Sequence, residues 1–162
     1  MQKFLTTRGL RPEDANDIAR IAASAKGFTI PSPYMVWMLS ISNGQLSRVL
    51  RTSANGLEGY LLAVMCEDKK HAFVWQFAIS PAGSMNKIEA SNILVEDFIK
   101  QAIAHGITGI YFTSQPHKIR YFNTTLEQQG CTPAQAFPAE IRDSQAVPTE
   151  GERLYYSILP DA

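Results

Sequence analysis

Hydrophobic and polar positions along this chain change period several times, and each change marks a predicted element. Phe4 to Arg8 reads as a short first strand. Pro12-Glu13-Asp14 opens a helix, with proline and acidic residues in the first turn, where the free amides and the helix dipole favour them. Ala15, Ile18, Ala19, Ala22 and Ala23 recur at helical spacing until Gly27. A second helix follows Pro31-Ser32-Pro33. Its run Tyr34-Met35-Val36-Trp37-Met38-Leu39 is apolar all round, which predicts burial or a pocket wall, and Asn43-Gly44 closes it.

Ser47–Thr52 and Leu57–Cys66 flank Ser53-Ala54-Asn55-Gly56, an Asn-Gly hairpin signal. After the charged turn Glu67-Asp68-Lys69-Lys70, His71–Ile79 is aromatic and β-branched and reads as a central strand. Pro81-Ala82-Gly83 stops it. Lys87–His105 carries an apolar helical stripe (Ile88, Val95, Phe98, Ile99, Ala102, Ile103) with Gly106 as its C′ residue. Gly109–Thr113 is a short strand, His117–Gln129 a helix ended by Gly130, and Ala136-Phe137 and Arg153–Leu159 two tail strands. Successive hairpin strands are expected antiparallel. The crossover from Phe73–Ile79 to Gly109–Thr113 is expected to leave those two parallel. With no repeat and no linker, residues 1–162 read as one domain.

Composition narrows the function classes. Hydrophobic residues make up 45% and charged residues 19%, as in a globular protein. Fifteen basic residues balance fifteen acidic ones without a Lys/Arg run, so nothing favours nucleic acid. No apolar run approaches the roughly 20 residues that cross a bilayer, and the first residues are no signal peptide. A cytoplasmic protein with no membrane partner is expected. Cys66 and Cys131 lack a CxxC spacing, and His71, His105 and His117 lack a pairing that would hold a metal, so none is expected. Cys131 reads as a small buried hydrophobe and His105 as a cation near a helix C-terminus.

The element order β-α-α-β-β-β-α-β-α-β-β resembles that of the GCN5-related N-acetyltransferase (GNAT) superfamily over nearly the whole chain. Thr7–Ala15 looks like that family's first strand and helix start. Asn55-Gly56-Leu57-Glu58-Gly59-Tyr60 looks like its hairpin entry, and Phe77-Ala78-Ile79-Ser80-Pro81 like its strand-ending L-x-V-x-P. Within the superfamily, Phe73-Val74-Trp75-Gln76-Phe77-Ala78-Ile79 is similar to the F-V-W-Q-x-A-V of diaminobutyrate acetyltransferases, and Ser32-x-Tyr34 before an apolar helix to their S-x-Y segment. The resemblance implies a mixed α/β (α+β) fold. Its sheet is mostly antiparallel, of six to seven strands, with about four helices and a splayed parallel pair at its centre.

It further implies transfer of an acetyl group from acetyl-CoA to a primary amine of a small molecule, such as an amino acid. Phe77, Ala78 and Ile79 would bond the pantetheine arm. Ser84, Met85, Asn86, Lys87 and Ala90 would approach the pyrophosphate, with Lys118 beside them. Ser32, Tyr34 and Gln76 would face the amine. The loop Gly83–Ala90 keeps one early glycine but no Gly-x-Gly, and Asn86 with Glu89 reads equally as a capping box. Gln76 stands where many relatives keep a glutamate, so it would relay through water rather than act as a base. The family's tyrosine acid falls on Thr125, with Tyr121 one turn earlier as its substitute. Strand alternation would send Trp75 and Gln76 to opposite faces, Gln76 to the cleft. Two other readings stay open: a catalytically inactive relative that has lost CoA binding, and a homodimer built on the apolar helix Tyr34–Leu39.

Overall fold

The computed structural model describes residues 5–25, 28–52, 56–81, 83, 85–114, 119–134 and 153–161. From the N-terminus the elements are β1 (Leu5–Gly9), a 3-10 turn (Pro12–Asp14), α1 (Ala15–Ser24), α2 (Pro33–Asn43), β2 (Arg48–Thr52), β3 (Gly56–Met65) and β4 (His71–Ile79). Then come α3 (Lys87–Ala104), β5 (Gly109–Ser114), α4 (Ile119–Gln128), β6 (Thr132–Ala134) and β7 (Arg153–Ile158). The seven strands form one sheet in the order β1-β2-β3-β4-β5-β7-β6. Its pairs are antiparallel except β4 with β5, which α3 joins by a crossover. The mixed, mostly antiparallel sheet with four helices follows the expected pattern. The expected strand at Ala136-Phe137 lies outside the described residues, and the strand before β7 begins earlier, at Thr132.

Both faces of the sheet are covered. Leu94, Val95, Phe98, Ile99 and Ala102 of α3 pack with Leu50, Leu61, Val74 and Phe112 on one side. Ile18, Ile21, Ala22 and Val36 of α1 and α2 pack with Val49, Tyr60 and Leu62 on the other. This explains why β3 is continuously apolar from Tyr60 to Met65: alternate residues serve two cores. Gly106 (φ +80°) and Gly130 (φ +85°) end α3 and α4 in the left-handed conformation glycine adopts freely. In each case the following amide returns to the helix, Ile107 N to Ala102 O (2.9 Å) and Cys131 N to Leu126 O (3.1 Å). Cys131 is buried as expected, and burial pushes its thiol up to about 11.

α2 departs from expectation. Only Val36 is buried along its length, while Tyr34, Met35, Trp37, Met38 and Ile41 are exposed. An apolar composition fixes no partner, and the sheet takes up only the Val36 side.

At the start of β5 a Cβ on Gly109 would lie 2.2 Å from the Tyr156 hydroxyl oxygen and 2.6 Å from its ring. A Gly109→Ala chain is expected to lose about 1–3 kcal/mol of stability, because a rigid ring must move. Urea unfolding would measure it.

Candidate active site

The sheet opens into a fork at its one parallel junction. β4 and β5 pair from His71↔Gly109 to Val74↔Phe112 and no further, while β4 continues against β3 as far as Gly59↔Ile79. From Trp75 onward, therefore, the β4 edge that faces β5 has no strand beside it among the described residues. Backbone amides and carbonyls on such an edge can receive an extended ligand as an added strand would be received.

A bulge sits at the root of the fork. Leu62 faces Gln76 and Ala63 faces Val74, so Trp75 is an extra residue on β4. The extra residue breaks the expected alternation. Trp75 packs on the α1/α2 core, and Gln76 turns to the same side, so the two do not point to opposite faces. Gln76 is buried with both ends engaged. Its Oε1 accepts from the Tyr60 hydroxyl (3.0 Å), and its Nε2 donates to the Thr29 carbonyl (2.6 Å) just ahead of α2. Burial raises the Tyr60 phenol well above its ordinary value, so it stays protonated and donates. Gln76 thus pins the lead-in of α2 to the fork.

Phe77 points the other way and meets Phe122 of α4 (ring centroids 5.2 Å). Phe122 in turn sits edge-on to Phe112 of β5 (4.8 Å). One aromatic ring therefore bridges the two arms of the fork on the α3/α4 face. Ala78 is buried toward α1 and α2, and Ile79 toward α3.

Beyond β4 the chain turns toward the N-terminus of α3. Gly83 N donates to Ser80 O (3.2 Å), Met85 is half-buried on the α3 core, and Ala90 is fully buried within it. Asn86 caps α3, but its Oδ1 accepts from Ile88 N (2.8 Å), not from the Glu89 amide that a capping box uses. Lys87 is exposed at the first helical position. Ser84 and Lys118, and the side chain of Tyr121, lie outside the described residues. On the opposite side of the fork, Ser32 serves as the N-cap of α2, accepting from Met35 N (3.2 Å), and Tyr34 is exposed beside Trp37.

The sequence reading did not single out Glu58. It is the extra residue of a second bulge, between Arg51↔Leu57 and Leu50↔Gly59, and it is 5% exposed. Its carboxylate lies against the α3 approach loop: a Cβ on Gly83 would come within 2.0 Å of Glu58 Oε2. A signal was present, since Glu58 is the one charged residue between Thr52 and Glu67.

At the other end of β4, His71 is held between Asp68 on Nδ1 and the Tyr156 hydroxyl on Nε2 (3.3 Å). A recess of about 1060 Å³ runs between β1, the end of α2 and the end of α3. Its walls include Arg8, Arg48, Cys66 and His105 but no residue of the fork or of the first turn of α3, so it is separate from the site.

Many solved structures share this architecture, among them the following three. Diaminobutyrate acetyltransferase from Paenibacillus lautus, in complex with its substrate L-2,4-diaminobutyric acid and coenzyme A, superposes with a TM-score of 0.74 at 18% identity. The match covers 98% of this chain and 96% of that one. Ard1 from Thermoplasma volcanium gives 0.70 at 14% identity, covering 97% and 99%. The ribosomal-protein-S18-alanine N-acetyltransferase from Escherichia coli gives 0.67 at 15%, covering 98% and 95%. The fold is that of the GCN5-related N-acetyltransferases. No protein-family model and no curated protein matches the sequence. At these identities the likeness to the GNAT structures is one of architecture.

Proposed function

We propose that this chain, as a single GNAT-like domain, is an acetyl-CoA-dependent N-acetyltransferase that acts on a primary amine of a small molecule, an amino acid among the candidates. The observation that carries the reading is the edge of β4 beyond Val74, which has no strand beside it among the described residues and opens beside the N-terminus of an 18-residue helix. The bound coenzyme A and diaminobutyric acid of the Paenibacillus lautus enzyme support it.

Two parts of the site differ in their fit to the donor. The open edge at Phe77, Ala78 and Ile79 suits an extended pantetheine arm, whose amides would complete the strand pairing. The approach to α3 suits a pyrophosphate less well. The N-terminal dipole and Lys87 favour an anion, but Asn86 already holds the Ile88 amide, and the Glu58 carboxylate lies against Gly83.

Acetyl-CoA supplies an activated thioester, and the amine must attack it as the neutral base. In this reading, amides on the open edge of β4 polarise the thioester carbonyl. Gln76 is no proton acceptor, because an amide stays neutral and both of its ends are bonded. Water in the fork takes the amine proton, oriented by backbone carbonyls. Tyr121, on the turn of α4 that carries Phe122, is the proposed acid for the departing thiolate.

A second reading, a catalytically inactive relative, is favoured by the placement of Glu58. Calorimetric titration with acetyl-CoA separates the two readings. Binding in the micromolar range, with amine-dependent thiol release, is expected for the enzyme. No heat at millimolar ligand would sink that reading.

A further inference from the structure

We propose that the outer face of α2 is a self-association surface through which two copies of this chain pair. The polarity of this helix is inverted. Tyr34, Trp37, Met38 and Ile41 follow one another at i, i+3, i+4 and i+7, the spacing of a single face, and all are exposed, as is Met35 beside them. Tyr34 and Trp37 contact each other through their rings (5.8 Å). The side turned to the sheet, by contrast, buries only Val36. Ile30, 51% exposed, extends the patch toward the lead-in that Gln76 holds.

The chemistry of the patch selects its occupant. From Gly27 to Ser47 the chain has no Asp, Glu, Lys or Arg, although charged residues make up 19% of the whole. A membrane-surface helix draws on basic residues to meet anionic lipid, and this one has none. A small ligand needs a concave site that encloses most of it, and a single exposed helix face is convex. An uncharged face meets its own copy without like-charge repulsion, and the chain as a whole has a net charge of zero.

The area is also sufficient. Taking on the order of 200 Å² for a large side chain, the exposed fractions of these six residues amount to roughly 600 Å² per copy. An isologous pair would then bury on the order of 1,200 Å², the lower bound of a stable interface. Two such helices crossing over Trp37 and Ile41 would bring together six of the nine large hydrophobic residues exposed among the described residues. Tyr34, expected beside the amine, then belongs to the interface.

Sedimentation equilibrium on the full chain tests this. The expected result is twice the mass of one chain at about 10–100 μM, with Ile41→Glu weakening association about tenfold or more at an unchanged far-ultraviolet spectrum. An Ile41→Cys chain should also cross-link to its copy under oxidation, which covers the case in which the glutamate variant fails to fold. A monomer at all these concentrations overturns the proposal. So does a dimer unaffected by Ile41→Glu, an Ile41→Cys chain that forms no cross-link, or a monomer that binds neutral or anionic vesicles.

Discussion

A Glu58→Gln chain is expected to bind coenzyme A about tenfold more tightly than the unaltered protein. The carboxylate is 5% exposed and abuts Gly83, on the loop that leads into the first turn of α3. Any diphosphate drawn to the amides of that turn comes close to it. Two unit charges about 6 Å apart at an effective dielectric near 20 repel by about 3 kcal/mol. Solvent at the mouth of the loop reduces this to the 1.4 kcal/mol or so that a tenfold change requires. Glutamine keeps the shape and reach of the side chain and removes its charge, at the cost of exchanging one acceptor oxygen for an amide donor. Parallel titrations with coenzyme A and with dephospho or pantetheine fragments localise the effect. The gain should appear only with ligands that carry the diphosphate. An unchanged affinity for coenzyme A would show that Glu58 and the diphosphate do not share a site.

Replacing Asp14 by alanine is expected to destabilise the fold by about 3 kcal/mol. Asp14 is 1% exposed and gathers several donors: Arg8 in a bidentate pair (2.7 and 2.8 Å), the Arg11 amide (2.9 Å) and, at 3.8 Å, Arg51. Removing it strands the Arg8 guanidinium, whose side chain is only 19% exposed, and frees the 3-10 turn that sets the entry of α1. An uncompensated buried charge costs far more than an intact pair contributes, so the single substitution should exceed the effect of removing Arg8 and Asp14 together. For a chain of this size the loss corresponds to a fall of roughly 6–12 °C in Tm. A change below about 1 kcal/mol would mean that the pair is solvated and dispensable.

Much of this architecture is legible in the sequence, and what is hidden has a common cause. Helix ends declare themselves locally: Gly106 and Gly130 take up the left-handed conformation that only the chain's own geometry demands. The parallel pairing of β4 with β5 follows from the length of the crossover that joins them. The fate of α2 was not legible, because an apolar face states that it will be covered and not by what. Trp75 and Gln76 share one side because a bulge is settled by the register against β3, which the spacing along β4 does not contain. The sequence offers Ser32 as a ligand-facing residue and Asn86 as either ligand contact or helix cap, and in the structure both side chains satisfy helix amides. A small polar residue before a helix serves either purpose, and its local competitor for the bond is always present. Glu58 illustrates the reverse case: a lone acid in an apolar strand is conspicuous, but its target becomes visible only when two loops meet in space.

The fork also has a kinetic meaning. β2 to β4 close through short antiparallel connections, whereas β1 must wait for α1 and α2, β5 for the α3 crossover and β7 for a partner some 40 residues earlier in the chain. Among the described residues, four residue pairs, His71↔Gly109 to Val74↔Phe112, are all that the sheet offers to join the early part to the late one. The gap beyond them is thus a seam between two folding halves. A ligand lying along β4 and touching β5 would act as a clasp across it, and its binding energy would count toward holding the halves together as well as toward chemistry.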